Sequence, residues 1–593
     1  MPLRFAKDAP QNTDSRKRFR QLIVVKYHNL EPSTFHLLVR STAPTNAEDP
    51  PLAAEDDGQP LDNIPELKDK TQEAIDELKK SLSSYVSTDQ SNTQIKIALN
   101  IHGYSTPLLN FANNAYAISN AKFISDIPSS NGGSAQGDYV IFIDFSWPSE
   151  HALSLPLLGT LRAMPVALWV VLFLSVCAFL AGGAWLLVAG TLLGLVVTLV
   201  LLRLVTYFRD RDRAATYGAY DAVELVRYLH ELIADITKKD DSGHTQTEES
   251  SQVKVELNLM AHSMGSFVAT QMIRTLCDVF NTAALQRWKD EKKLGLGPFK
   301  TMDPCANTTA LTSINKEKLS EIGSIFKLGR LVLASPDIPI WALSSGRSNP
   351  LLASMRRFDE VFIFTNDADI VLRLASTLAN FFVFPSGTQE GGYRLGNAVS
   401  NRHHAKPRWG PQKSTFNDIG FHGLQSGLGN EVFIQLNKKP FFARLADGAK
   451  LRLINCTDYR DTNDVFECMK TPPGPKREET LIAIMNDHKM SASVNSEKLH
   501  PRLSAPGRSG RIGRYAATFF QHFIAKTIDS HGGYFQGVFG LDLLYGTLLR
   551  GTDLYQDQHN GEATFKEEFV KDLKRHQITW IEVEPWVEAE PTC

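Results

Sequence analysis

The feature that most constrains this chain is a short stretch around Ser263, where an apolar strand meets a helix. Apolar residues alternate from Val253 to Leu259, as in a strand, and recur at helical spacing from Val268 to Val279. Small residues, Ala261 and Gly265, lie two positions on either side of the serine. This is the G-x-S-x-G pattern with alanine in place of the first glycine, and it is typical of a nucleophilic serine on a sharp turn. The alternative is an ordinary serine that caps a helix.

Length and composition set broad limits on the rest of the chain. Its 593 residues predict about three or four domains. With a net charge of -2, the chain lacks the overall positive charge that would indicate a nucleic-acid partner. The six cysteines include no C-x-x-C pair, which argues against a zinc site or a disulfide framework and favours a reducing compartment. Met1 to Phe19 is polar, so we expect no signal peptide. No Walker loop or H-E-x-x-H motif occurs, and we expect no cofactor and no metal.

Strands alternate with helical patterns along much of the chain, which predicts a mostly parallel, doubly wound α/β sheet. The strand Ile95 to Ile101 ends in His102-Gly103-Tyr104. In an α/β-hydrolase, a loop in this place offers one backbone N–H group to the oxyanion, and the residue after the nucleophile offers the other. We therefore expect the amides of Tyr104 and Met264 to form an oxyanion hole.

A long uncharged run interrupts this pattern. The stretch from Ala163 to Leu202 contains no Asp, Glu, Lys or Arg, and it is about twice as long as the roughly 20 residues that one bilayer crossing needs. We expect a two-helix transmembrane hairpin over residues 161–206, with a break near Gly182-Gly183. Arginines flank both ends, which favours a cytoplasmic location for both ends and for the catalytic domain. The alternatives are a buried hairpin, one long tilted helix or a re-entrant pair.

The remaining members of a catalytic triad should follow the serine in the order acid, then histidine. Asp367 comes directly after the predicted strand Val361 to Thr365, and it is our first choice for the acid. Asp337 and Asp369 are the alternatives, because each also follows a strand. An aspartate in such a place is otherwise a turn residue or a helix cap.

The base is expected late in the chain. His531 lies in the glycine-rich segment Asp529 to Phe535, where a mobile imidazole is expected, and it is our first choice. His422 and His488 are the rivals, and any one of these histidines alone could be structural. We expect the strand Leu451 to Asn455 to be the last of the sheet, and residues 456–526 to be an insertion.

Together these pieces resemble a family of largely uncharacterised, mostly bacterial α/β-hydrolases. The matching segments, in the order of the family, are Ile101-His102-Gly103-Tyr104, Phe145-Ser146-Trp147-Pro148-Ser149, Tyr207-Phe208-Arg209-Asp210-Arg211, Ala261-His262-Ser263-Met264-Gly265, Ala334-Ser335-Pro336-Asp337, Asn366-Asp367, Tyr393-Arg394-Leu395-Gly396 and His531. The resemblance implies an α/β-hydrolase fold with Ser263, Asp367 and His531 as the triad. The apolar run and the long insertion before His531 depart from the family pattern, and the resemblance names no substrate.

These observations predict a membrane-anchored serine hydrolase that cleaves a lipid or acyl ester and has the bilayer as a partner. The same residues would also suit an acyltransferase or an inactive membrane-bound binding module. The expected segments are N-terminal strands and a polar linker (1–93), the first part of the hydrolase core (94–160), the hairpin (161–206), the second part of the core (207–400) and a C-terminal part with the last strand, the insertion and the histidine loop (401–593).

Overall fold

The structure is a computed structural model that describes less than half of the chain. The described residues are 21–25, 34–41, 65–88, 95–104, 139–147, 149, 190, 194, 207–239, 255–277, 321–322, 325–339, 354–355, 357–377, 393–400, 409–415, 418–422, 433–435, 450–461, 515, 517–524, 528–559 and 562–584.

Sixteen strands lie within the described residues. In chain order they are β1 Gln21–Val25, β2 Thr34–Arg40, β3 Ile95–Ile101, β4 Tyr139–Ser146, β5 Val255–His262, β6 Glu321–Ile322, β7 Phe326–Ala334, β8 Glu360–Thr365, β9 Val399–Ser400, β10 Gly410–Thr415, β11 Ile419–His422, β12 Phe433–Gln435, β13 Lys450–Asn455, β14 Gln556–His559, β15 Glu562–Phe565 and β16 Thr579–Glu584.

Eleven of these strands form one mixed sheet in the order β1-β2-β4-β3-β5-β7-β8-β13-β16-β10, with β6 paired beside β7. All neighbours from β2 to β13 along this order are parallel. β1 pairs antiparallel with β2, β6 with β7, and β16 with β13. The parallel strands read as continuous apolar runs because both faces of the sheet are buried.

Helices cover both faces of the sheet. They are α1 Pro65–Thr88, α2 Ala219–Lys239, α3 Gly265–Cys277, α4 Val538–Leu549 and α5 Glu567–Arg575. On one face of the sheet, α1, α2 and α3 pack against the odd-numbered residues of β3 in one apolar core. On the opposite face, α4 and α5 belong to a second apolar core, to which β3 contributes Ala98. Short helical turns precede α2 at Ala214–Gly218 and occur at Val371–Ser376, Leu395–Asn397, Phe520–Ile524, Gly533–Phe535 and Gly551–Leu554.

The structure confirms the expected α/β sheet and the strands expected at Ile95–Ile101, before Ser263, before Asn366 and before Cys456. Strands were also expected in the N-terminal segment, and β1 and β2 lie there as an antiparallel pair. The expectation that the strand after Lys450 closes the sheet was wrong, because β16 adds to it in antiparallel register and β10 follows. Residues 456–461, which we assigned to an insertion, belong to the folded core, where Cys456 and Tyr459 are buried. β16 is amphipathic rather than apolar throughout, and the sequence pattern therefore did not single it out.

The predicted transmembrane hairpin lies outside the described residues except for Gly190 and Gly194, which are helical. In the part of the chain that the structure describes, no helix combines the length and the apolar character that a membrane crossing needs. The expected cap at residues 285–322 is described only at its end, and residues 462–514 of the expected insertion and His488 are outside the described ranges.

Candidate active site

Ser263 lies on the tight turn between β5 and α3, at the carboxyl edge of the sheet. Its backbone has a φ of 51°, which non-glycine residues rarely adopt. Its amide donates to the carbonyl of Ala334 at 2.9 Å, and its own carbonyl accepts the amide of Asp337 at 3.0 Å. A methyl group on Gly265 would clash with the carbonyl oxygens of the β3 end and of the residue after it, which explains why glycine follows two positions later. The turn therefore holds Ser263 in a strained backbone conformation, as the sequence pattern around it predicts.

His531 joins Ser263 to a buried carboxylate. Its Nε2 lies 2.8 Å from Ser263 Oγ, and its Nδ1 lies 2.7 Å from Asp369 Oδ2. The Asp369 side chain is fully buried, and His531 is 9% exposed. A carboxylate on Nδ1 holds the proton on that nitrogen, and Nε2 is then free to accept the serine proton. The three side chains form a continuous hydrogen-bonded chain of the kind that activates a serine hydroxyl.

The electrostatic setting of His531 favours a cationic imidazole. Burial by itself lowers the pKa of His531, but the charge and the hydrogen bond of Asp369 outweigh it and raise the pKa above 6.5. The carboxylates of Asp529 and Asp337 act in the same direction at longer range. The surroundings of His531 can therefore stabilise a positive charge on its imidazole.

Asp367, the acid that we preferred from the sequence, does not take this position. Its carboxylate forms a buried ion pair with Arg373 and accepts a hydrogen bond from Tyr515 Oη at 3.0 Å. The chain turns after β8, with the amide of Asp369 donating to the carbonyl of Asn366 at 3.1 Å, and the two aspartates consequently face different partners. The structure places Asp369, one of the two alternatives, against His531.

Asp369 is fixed by its second oxygen as well. Its Oδ1 accepts the backbone amides of Val371 and Leu372, each at 3.1 Å, at the start of the helical turn Val371–Ser376. A carboxylate at a helical N-terminus satisfies amides that have no partner within the turn. The carboxylate is therefore oriented by the backbone, with Oδ2 directed at the imidazole.

Asp337, the other alternative, belongs to a neighbouring cluster. Its carboxylate accepts hydrogen bonds from Tyr207 Oη at 2.9 Å and from the Ser376 hydroxyl, and pairs with Arg394 Nε at 3.2 Å. Burial, followed by the charge of Asp337, raises the pKa of Tyr207 to about 12. Tyr207 therefore remains a neutral donor, and this cluster supports the loop beside Ser263.

Three contacts hold the histidine loop in place. Asp529 accepts the amide of His531 at 3.0 Å, and Asn366 Nδ2 donates to the carbonyl of Ser530 at 2.7 Å. His262, the residue before the serine, lies with Nε2 3.0 Å from the carbonyl of His531. Burial lowers the pKa of His262 to about 3, and the nearby His531 adds to this effect, so His262 is a neutral donor to that carbonyl.

The two expected oxyanion donors also lie at this edge. Met264 is buried at the start of α3, directly after Ser263. The loop that carries Tyr104 runs against the serine, because a methyl group on Gly103 would come within 2.7 Å of Ser263 Cβ. The strand that precedes this loop, β3, is the immediate neighbour of β5, and this strand order places the loop beside the nucleophile.

Sequence reasoning missed the supporting residues Asn366, His262 and Asp529. All three stand inside segments that we quoted, but nothing in the sequence distinguishes a polar residue that supports a site from one that takes part in its chemistry. Of the rival histidines, His422 lies at the end of β11 in a separate three-stranded sheet, and His488 is not described. No group of three or more His, Cys, Asp or Glu side chains among the described residues could hold a metal ion.

Comparison of the chain with protein-family models, with curated proteins and with solved structures found no significant match. The resemblance to α/β-hydrolases therefore stays a prediction that rests on the motifs and on the geometry described above.

Proposed function

We propose that the protein is a serine hydrolase of the α/β-hydrolase type that cleaves carboxylic esters through an acyl-enzyme. The observation that carries the proposal is the chain of hydrogen bonds from Ser263 Oγ through His531 to Asp369 Oδ2. Ser263, at one end of this chain of hydrogen bonds, has a positive φ and lies between the buried strand β5 and the helix α3. The order of the three residues along the chain is the one that the α/β-hydrolase motif requires.

In the proposed reaction, Ser263 Oγ attacks the ester carbonyl carbon while His531 Nε2 takes the hydroxyl proton. Asp369 keeps the Nδ1–H tautomer and stabilises the imidazolium. The proton then passes from His531 to the leaving alcohol as the carbon–oxygen bond breaks. A water molecule attacks the acyl-enzyme with His531 as its base, which releases the acid and restores Ser263.

The negative charge of the tetrahedral intermediate needs donors on one side of the serine. Under this proposal, the amides of Met264 and Tyr104 supply them, as expected from the sequence. Removal of one such donor in serine hydrolases lowers kcat by about 10² to 10³. The supporting observations are the position of Met264 at the N-terminus of α3 and the contact of the Gly103 loop with Ser263.

We further propose that the enzyme is membrane-anchored and acts on lipid or acyl esters presented by a bilayer. The support is the uncharged run from Ala163 to Leu202, which enters the chain between two segments at the site. Trp147 precedes this run and Tyr207 follows it, and both lie beside the loop of Tyr104. A strict preference for short soluble esters over bilayer-presented esters would contradict the choice of substrate.

Covalent labelling of the detergent-solubilised, full-length protein with a fluorophosphonate probe tests the central proposal. We expect labelling of the wild type, none of Ser263→Ala, and strongly reduced labelling of His531→Ala and Asp369→Asn. Ser354→Ala is a matched control, because this buried serine donates to the backbone carbonyl of Thr270 away from the triad. A folded wild type that fails to label would reject the hydrolase and favour the binding module.

An acyltransferase would pass the labelling test, because it uses the same acyl-enzyme with an alcohol or amine in place of water. Product analysis with added acceptors separates the two. Free acid as the main product in the presence of excess acceptor supports hydrolysis, and an acylated acceptor supports transfer.

A further inference from the structure

His102, the histidine of the expected oxyanion loop, is held as one neutral tautomer by its neighbours. Its Nε2 accepts the backbone amide of Trp147 at 3.0 Å, and the Ser146 hydroxyl lies 3.3 Å from the same nitrogen. The proton must therefore reside on Nδ1, which donates to the carbonyl of Gly103 at 2.8 Å. Burial lowers the pKa of His102, which agrees with a neutral ring.

Trp147 and Ser149 also hold this loop. The Trp147 indole stacks on the His102 ring, with 5.4 Å between centroids and 2° between planes, and its Nε1 donates to the carbonyl of His102 at 2.9 Å. The Ser149 hydroxyl donates to the carbonyl of Gly103 at 3.2 Å. Two successive carbonyls of the loop, those of His102 and Gly103, therefore accept hydrogen bonds from side chains.

Because a peptide unit is planar and trans, its N–H points away from its C=O. The two donors on the Gly103 carbonyl therefore also fix the direction of the Tyr104 N–H, which is the expected oxyanion donor. Gly103 itself lies against Ser263. If such a donor is displaced by about 1 Å, the reaction rate can fall about a hundredfold.

From this arrangement we infer that His102, Trp147 and Ser149 are positioning residues that aim the Tyr104 amide at the oxyanion. They act through the Gly103 peptide and do not touch the substrate. The inference rests on the proposed serine-hydrolase function, and it assigns a purpose to the Ser-Trp-Pro-Ser segment, which the triad leaves unexplained.

The test compares Ser149→Ala, His102→Phe and Trp147→Phe with the wild type in hydrolysis of a short-chain nitrophenyl ester. Ser149→Ala removes one hydroxyl from a half-buried site and should leave the fold intact. His102→Phe keeps an aromatic ring against Trp147 but has neither donor nor acceptor. Ser354→Ala again serves as the control, since it removes an equivalent hydroxyl-to-carbonyl hydrogen bond elsewhere.

We expect kcat to fall about threefold to tenfold in Ser149→Ala and about tenfold to a hundredfold in the two aromatic variants, with KM nearly unchanged. The inhibition constant of a trifluoromethyl ketone, which forms the tetrahedral anion on Ser263, should rise by the same factor as kcat falls. If these residues had only a structural role, Tm would change but the inhibition constant would not rise in proportion to the fall in kcat.

The outcomes separate the two proposals. An active wild type whose Ser149→Ala and His102→Phe variants keep wild-type kcat and inhibitor affinity would overturn the positioning role and leave the hydrolase intact. A folded wild type that neither labels with the fluorophosphonate nor hydrolyses any ester would reject both. A fall in kcat/KM that comes entirely from a rise in KM, with kcat unchanged, would show that these residues act in ground-state binding, and it would also overturn the inference.

Discussion

The pair of aspartates after β8 offers a sharp test, because the same substitution two positions apart should produce opposite effects. In Asp369→Asn, Oδ1 should keep its two backbone amides, since only an oxygen can accept them. The new NH₂ group then faces His531 Nδ1 and donates to it. The imidazole proton is forced onto Nε2, which can no longer accept the proton of Ser263.

The structure allows a magnitude for this change. A forced wrong tautomer in a Ser-His-Asp triad lowers kcat by about 10⁴, or about 5.4 kcal/mol at 1.36 kcal/mol per tenfold. The Asp369 side chain is fully buried, and one hydrogen bond of 2.7 Å joins its Oδ2 to the imidazole. The backbone hydrogen bonds remain, and the fold should therefore persist.

In Asp367→Asn, the buried charge of Arg373 loses its counterion. Breaking one partner of a buried pair costs about 3 to 5 kcal/mol of stability, but the hydrogen-bonded chain through His531 is untouched. We expect a lower Tm and a kcat within about tenfold of the wild type when rates are normalised to active sites. Active-site titration with a fluorophosphonate, alongside thermal unfolding of each variant, measures both quantities.

The reasoning would be refuted if Asp367→Asn lost activity by 10³ or more at intact fold while Asp369→Asn remained active. Loss in both variants without any change in Tm would show that the two carboxylates work together. Asp369→Ala distinguishes the wrong tautomer from simple loss of the charge, since an alanine leaves Nδ1 without an opposing donor.

Three further predictions concern the elbow and its histidines. Gly265→Ala should destabilise the protein by about 1 to 3 kcal/mol, because the added methyl group would clash with backbone carbonyls. The control Gly218→Ala should change stability by less than about 1 kcal/mol, since the nearest atom to its added methyl group is 3.6 Å away. Equal denaturation midpoints for the two variants would contradict this prediction. Since the base must be neutral and its pKa is raised, kcat/KM should fall with acid through a midpoint above 6.5, and a midpoint below that value would refute the assignment of His531. Burial lowers the pKa of His262 from 6.5 in the unfolded chain to about 3 in the folded protein. The unfolded chain therefore binds one more proton between these pH values, and stability should fall by up to about 1.4 kcal/mol per pH unit as pH falls through that window. Urea unfolding of His262→Gln should show a shallower loss, and an unchanged slope would show that His262 does not titrate in this way.

Local patterns predicted much of the sheet and the position of the serine. The strand before Ser263 has a strong periodic signal, and the small residues on either side of the serine fit a sharp turn; the structure has both features. The segment around His531 was identified from its glycines and from its place after the serine and the aspartates, and both signals are visible in the sequence. These features depend on residues that are close in sequence, and their interpretation needs no knowledge of distant partners.

The choice between Asp367 and Asp369 was beyond the sequence for a physical reason. Both residues follow the same strand, and their roles are decided by Arg373, which pairs with one of them, and by His531, which is distant in sequence. A basic residue six positions after Asp367 was the available hint that this carboxylate is paired. The strand β16 was missed because half of its positions are polar.

The contacts on either side of the uncharged run also bear on how such a chain can be built. Trp147 holds His102, and the Tyr207 ring lies 6.1 Å from that of Tyr104, so the chain leaves and re-enters the core at one short loop. A segment whose two attachment points are this close can be lengthened, shortened or exchanged without altering the register of the sheet, since loop-closure entropy changes slowly with length. A version in which residues 150–206 are replaced by a short glycine-serine linker should therefore keep the sheet and the arrangement of Ser263, His531 and Asp369.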